Sequence, residues 1–290
     1  MSSTGLDPRV APRRFSRFRL AAFRAFELAA RACGGRAYYR RAHLAAGRVR
    51  VREELVSVRE LPRALEGFRV VHLSDIHAGP FIRPRDLRDV VRAVNELEPD
   101  VIAITGDFVT HASSDAWLVL DDLAELRARH GVLAVFGNHD YKGRREGEIA
   151  DAYAAHGVRF LRNACARVVV DGAAVALIGL EDLEEARVID LERARAAVEP
   201  GDVEVVLCHN PARARELAGS RCACILAGHT HGTQIDLPLL RRLGPKHPGA
   251  RLFAGETLVI VNRGLGAVGA PVRVGSPAEI VLARLCAMNP

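Results

Sequence analysis

From residue 48 the chain alternates short apolar runs with amphipathic ones, and five of the apolar runs end in a histidine, aspartate or asparagine. Strand-length runs occupy 48–58, 68–74, 101–105, 132–136, 166–170, 174–180, 203–208, 223–227, 257–262 and 279–284. Helical spacing occupies 84–97, 115–129, 145–156, 189–198 and 211–219. Apolar strands separated by helices predict an α/β protein whose sheets are covered on both faces. The later strands lack helices between them, which predicts a second, more antiparallel sheet. A content of 49% hydrophobic and 26% charged residues excludes disorder and fibrous classes. No apolar run reaches the 18 residues that a spanning helix needs.

The five strand ends carry the chemistry. Run 68–74 leads into Asp75-Ile76-His77, 101–105 into Gly106-Asp107, and 132–136 into Gly137-Asn138-His139-Asp140. Run 203–208 leads into His209-Asn210, and 223–227 into Gly228-His229-Thr230-His231. Ligands bind at the carboxyl ends of strands in α/β sheets. Imidazole and carboxylate together suit manganese, iron or zinc, whereas carboxylates alone suit magnesium or calcium. Each piece alone is weak; all five in order, each after a strand, point to one metal centre.

This ordered set, DxH, GD, GNHD, H and GHTH, resembles the signature of the calcineurin-like metallophosphoesterase superfamily over residues 68–231. The resemblance implies an α/β fold, a β-sandwich of two mixed sheets flanked by helices, with two divalent metals at the sheet edge. Carried over by motif, Asp75, His77 and His231 hold the first metal. Asn138, His209 and His229 hold the second, and Asp107 bridges both. Manganese is the first expectation, with iron or zinc behind. His139 lies over the phosphate, oriented by Asp140. The implied reaction is in-line attack on a phosphodiester or pyrophosphate by a hydroxide between the two ions.

The segment 236–256, followed by Asn262-Arg263-Gly264-Leu265-Gly266 and Pro271-Val272-Arg273, resembles bacterial membrane-associated phosphohydrolases. That group includes cell-wall phosphodiesterases and a UDP-2,3-diacylglucosamine pyrophosphatase. Arg263 and the Arg241-Arg242 pair are candidate contacts to a distal phosphate. A cyclic-nucleotide phosphodiesterase or nuclease is the alternative. Gly264 to Gly269 matches GxGxxG, but Pro271 and an extended segment follow where a dinucleotide site needs a helix.

The net charge of +6 is unevenly spread. Residues 1–52 hold 13 Arg against Asp7 and Glu27, a net of +11, and the remainder carries −5. The chain thus divides into a basic amphipathic arm, 1–47, and a metallophosphoesterase domain, 48–290. Residues 14–33 read as a helix with Phe15, Phe18, Ala22, Phe26, Ala29 and Cys33 on one face and Arg17, Arg24 and Arg31 opposite. Its fates are an export signal, a helix on an anionic membrane surface, or a helix packed on the body by its Phe face. Four phenylalanines in residues 15–26 favour a bilayer over nucleic acid, and the acidic body does not suit a long nucleic acid either. The expected location is cytoplasmic, peripheral on an inner membrane.

Overall fold

The computed structural model describes residues 17–186, 188–218, 222–236 and 250–288. Arg13, Arg14 and Phe15 and the Arg241-Arg242 pair lie outside the described residues. Two six-stranded mixed sheets face each other, with helices on their outer sides. The first is built from β1 (Arg50–Val58), β2 (Arg69–Leu73), β3 (Val101–Thr105), β4 (Val132–Val135), β5 (Val158–Phe160) and β12 (Glu279–Ala287). Its order is β1-β12-β2-β3-β4-β5, parallel throughout except between β12 and β2.

The second sheet holds β6 (Ala164–Val170), β7 (Ala173–Gly179), β8 (Val203–Leu207), β9 (Cys222–Ala227), β10 (Ala250–Ala254) and β11 (Thr257–Val261). Its order is β10-β11-β9-β8-β7-β6. The expected antiparallel character is confined to the two edge pairs, β6–β7 and β10–β11. Its centre is parallel. The reason is connectivity: α6 (Leu191–Arg195) joins β7 to β8, and α7 (Ala214–Leu217) joins β8 to β9. A parallel pair needs such a crossover.

Alternation along the strands feeds two layers. Val71, Leu73, Ile102, Ile104, Val132 and Ala134 pack in the outer cluster. They face α3 (Arg88–Glu96) through Val90, Val91 and Val94, and α5 (Glu146–Ala154) through Ile149 and Tyr153. Val70, Val101, Ala103, Leu133 and Val135 turn inward to meet Val175, Leu177, Val205, Leu207, Leu226 and Ile260 of the second sheet. A fully buried aliphatic side chain of this kind contributes about 1.5–3 kcal/mol. The central strands therefore stay continuous in hydrophobicity, as strands covered on both faces must.

Several elements depart from the sequence reading. The expected helix 115–129 is a 3-10 segment, Ser113–Leu118, and one turn of helix, α4 (Leu120–Leu123). Asp122 is turned inward, where it accepts the Arg85 backbone N–H at 2.8 Å, so the segment folds back instead of extending. Helix α3 starts at Arg88, four residues after Pro84, because Asp86 accepts the Arg83 N–H and pairs with Arg36. Strands β5 and β10 have no counterpart in the reading.

The arm is less separate than its charge suggests. Helix α1 (Arg17–Ala32) is followed by α2 (Gly35–Tyr39) and a π-helical turn, Arg40–Leu44. Tyr39 and Leu44 are fully buried in the outer core. The Tyr39 hydroxyl donates to Leu265 O at 2.6 Å and accepts from Arg273 Nε at 3.0 Å. Residues 35–44 thus pack with the body, although 47/48 is where the sequence suggests a boundary. Tyr39→Ala should therefore lower stability by about 3–5 kcal/mol, the cost of emptying a buried aromatic site. Chemical denaturation of the purified protein measures it; a cost near zero would show that the arm is independent.

Candidate metal centre

The carboxyl ends of β2, β3 and β4 in one sheet and of β8 and β9 in the other open onto the same edge. The chain makes sharp turns there. Asp75, His77, Asp107, His229 and His231 all have positive φ, between 49° and 70°. Non-glycine residues rarely adopt this region, and it concentrates at functional sites. Close backbone approach also dictates glycine at 228, where a Cβ would collide with the Ser74 hydroxyl and the Asp75 carboxylate.

Two groups of donors result. Asp75, His77, Asp107 and His231 present ligand atoms that all lie within 4.8 Å of one another. His77 Nε2 and His231 Nε2 are 2.9 Å apart, and His231 Nε2 is 3.3 Å from Asp75 Oδ1. In the second group, His229 Nδ1 is 3.1 Å from Asn138 Oδ1 and 3.3 Å from His209 Nε2. Asp107 belongs to both: its Oδ2 is 3.5 Å from His77 Nε2 and 3.3 Å from His209 Nε2. The seven residues expected from the motifs are brought together.

The donor set fits a cation. His77 and His231 point their Nε2 atoms at each other, with carboxylate oxygens of Asp107 and Asp75 at 3.5 and 3.3 Å beside them. Two imidazoles cannot satisfy such a cluster by themselves, and buried polar groups are ordinarily paired. Nitrogen with carboxylate oxygen is a transition-metal combination. Burial pushes His77 and His231 well below the usual histidine pKa, so both are neutral and able to ligate. His209 behaves oppositely: burial would lower it, but Asp107 and Asp75 outweigh that and hold it well above. Asp107 is held well below the carboxylate range against its burial, by His209 and His139.

Asp140 does not contact the His139 ring. Its Oδ2 accepts the backbone N–H groups of Asp107 and Gly137, and its Oδ1 those of Phe108 and Val109, at 2.8–3.2 Å. It ties the β3 loop to the β4 loop and so positions Asp107 and Asn138. Burial, then the Asp107 carboxylate, pushes its pKa up to about 8. The His139 ring is placed instead by Thr110 O, 2.7 Å from Nδ1, and by Lys142 Nζ, 2.6 Å from the same atom. Its ring meets His77 edge-to-face, with centroids 4.9 Å apart.

Arg263 is engaged elsewhere than expected. Its Nη1 lies 3.3 Å from fully buried Glu279, which also pairs with Arg52. A distal phosphate would have to compete with that carboxylate. His72, read as a strand histidine, is buried with Nε2 2.7 Å from Thr105 Oγ1, and burial lowers its pKa to about 3.

Three contributors escaped the sequence reading. Glu184 lies 3.4 Å from His229 Nε2 and accepts from Asn210 Nδ2 at 2.7 Å. Burial, then Asp182, pushes it up to about 7. Lys142 stands beside His139 and is one of only two lysines among 41 basic residues, a bias that could have drawn notice. The glycine-rich run 264–269 braces the first ligand turn. Leu265 N donates to Ser74 O at 3.1 Å and Gly266 N to Asp75 O at 2.7 Å. A Cβ at Gly266 would collide with Ile76 O, so the glycines serve close packing, not a dinucleotide.

Two donor groups sharing a carboxylate, set where two α/β sheets meet, offer places for two divalent cations. The calcineurin-like phosphoesterase family profile matches residues 68–233, and the chain belongs to that family. It is 28% identical over 264 residues to YkuE, an uncharacterised metallophosphoesterase of Bacillus subtilis, covering 88% of this chain and 91% of that one. It is 34% identical over 242 residues to a cattle protein named as a transmembrane protein with metallophosphoesterase domain, covering 78% of this chain and 54% of that one. The zebrafish protein of the same name is 32% identical over 239 residues, with the same coverage. The chain thus spans about half the length of the vertebrate relatives. No described helix is long and apolar enough to cross a membrane.

Two outcomes check this site. Asp140→Asn places an amide NH2 against backbone N–H donors, and should cost about 1–3 kcal/mol of stability and about 10–100-fold in metal affinity. Calorimetric titration of metal into the metal-free variant reads both affinity and, with a thermal scan, stability. Cation binding to the wild type should also release protons, because His209 must give up the proton that Asp107 holds on it. Its raised pKa means that affinity weakens as pH falls. Titrations in buffers of different ionisation enthalpy count the protons; none released near neutral pH would remove the His209 assignment.

Proposed function

We propose that the protein hydrolyses a phosphodiester or pyrophosphate with two divalent cations, manganese first and iron or zinc behind. The observation that carries this reading is the convergence of both donor groups on Asp107. Asp75, His77 and His231 would hold one cation, Asn138, His209 and His229 the other, and Asp107 both. When bound, such ions supply Lewis-acid charge and lower the pKa of water toward ~7.

The protein's own part centres on His139. A carbonyl only accepts, so Thr110 O, at 2.7 Å, accepts a hydrogen bond from His139 Nδ1–H, and a proton available for chemistry is a second one, on Nε2. Lys142 also donates to Thr110 O at 2.9 Å, which fixes its position. With Nε2 also protonated, the imidazolium would hydrogen-bond a phosphate oxygen and deliver that proton to the leaving oxygen, returning to the neutral ring. Burial pushes His139 below the usual histidine value, so the doubly protonated ring, the form that can protonate a leaving oxygen, is lost as pH rises. The backbone N–H of His139 donates to Asp107 Oδ1 at 2.8 Å, so the ring and the shared carboxylate move as one unit.

An amphiphilic substrate such as UDP-2,3-diacylglucosamine is favoured by the basic arm beside the site and by the likeness of its loop motifs to membrane-associated phosphohydrolases. His139→Asn should keep the wild-type metal content yet lose about 10²–10⁴-fold in turnover, the usual worth of a positioned proton donor. Asp107→Ala should lose metal as well. The assay compares bis-p-nitrophenyl phosphate, p-nitrophenyl phosphate, cyclic nucleotides and UDP-2,3-diacylglucosamine with manganese present. Near-wild-type turnover in the His139 variant would sink its role, and preference for cyclic nucleotides would overturn the amphiphile.

A further inference from the structure

Helix α1 is attached to the body by its charged face. Glu27 is buried, its Oε1 accepting the Gly269 N–H at 2.8 Å and its Oε2 meeting His111 Nε2. Arg24 and Arg31, a turn before and after on the same face, line a cavity of about 300 Å³ with Gly79, Arg83, His111 and Asp115. Phe23 covers Gly269, where an added Cβ would meet the ring at 2.6 Å.

The opposite stripe, at spacings of three and four, is Ala22, Ala25, Phe26, Ala29, Ala32 and Cys33. All six are exposed and none is charged. Phe26 is 56% exposed; Leu28, between the two faces, is 64% exposed and also lines the cavity. This inverts the ordinary arrangement, in which a surface helix buries its apolar stripe and shows its charges to water. The Phe face expected to pack on the body faces away from it, at least at Phe26. A continuous apolar surface of this kind marks an interaction site.

We infer that this outward face of α1 inserts into the surface of an anionic bilayer and brings the metal centre with it to the headgroup plane. Charge selects the occupant. Residues 1–52 carry a net +11, which draws them to anionic lipid and opposes a second copy bearing the same charge. Position supplies the link to chemistry. Glu27 grips Gly269, at the end of the glycine run that braces Asp75, and His111, in the loop that follows Asp107. Helix α1 is therefore fixed to the rim of the site, and an amphiphile lying in the same bilayer presents its phosphate to that rim. The substrate half of this inference rests on the phosphohydrolase reading; the docking face does not.

The test uses the full chain loaded with manganese, and the double variant Phe26→Asp, Ala29→Asp. Neither side chain touches the site, and thermal unfolding confirms that the variant is folded. Wild type should float with phosphatidylglycerol-containing vesicles at low salt and not with pure phosphatidylcholine. The variant should lose flotation to background while hydrolysing soluble bis-p-nitrophenyl phosphate at the wild-type rate. A wild type that stays unbound, or a variant that floats equally well, overturns the docking face. A dimer in sedimentation velocity that the two substitutions dissolve overturns it in favour of a second copy. Flotation without turnover of the soluble diester by the wild type overturns the substrate half alone.

Discussion

The arrangement depends on one expensive requirement: three carboxyl groups, Asp75, Asp107 and Asp140, are almost wholly buried within one edge of a double sheet. An isolated buried carboxylate is strongly disfavoured. Each is compensated differently. Asp140 gathers four backbone N–H groups. Asp75 accepts from the Ser74 hydroxyl and the His229 backbone N–H. Asp107 is surrounded by His77, His139 and His209, and remains ionised against its burial. Cations held by this cluster would complete the balance where the imidazoles alone do not.

That requirement accounts for features which otherwise look like defects. Five candidate ligand residues have positive φ, at a cost on the order of 1–3 kcal/mol each. The turns persist because neighbouring segments hold them. The glycine run 264–269 hydrogen-bonds to the backbone of Ser74 and Asp75, and Asn262 Nδ2 donates to His72 O at 2.8 Å. Behind them, Arg273 donates to Gly266 O and Ser276 O, and Arg52 and Arg263 share Glu279. Arginines that a surface view would offer to substrate are spent on holding the loops.

Much of the site was legible because motif residues follow strands directly. A strand's direction carries its next residue to the sheet edge, so a DxH or GHTH following an apolar run is already placed. The helices were less legible. At 115–129 the inward turn of Asp122 overrode local propensity, and at 84–97 the Asp86–Arg36 pair delayed the start. Those partners lie far along the chain, at separations that no local pattern encodes. Asp140 shows the same limit: its place beside His139 suggested an orienting role, whereas its carboxylate serves backbone groups of two loops.

Residue order alone determined that this chain would form an α/β protein with two sheets and candidate metal donors at its strand ends, because hydrophobic period and residue type are local properties; the sandwich was what the resemblance of its motifs implied. It also revealed the concentrated positive charge of the arm. Tertiary structure alone decided which way α1 faces. Its amphipathic pattern permits either face to dock, and a buried Glu27 that finds Gly269 N and His111 selects the charged one. It likewise decided that Glu184 and Lys142 join the site while Arg263 is held by Glu279. Such outcomes depend on which distant groups reach the same small volume, and burial then makes each unsatisfied alternative costly.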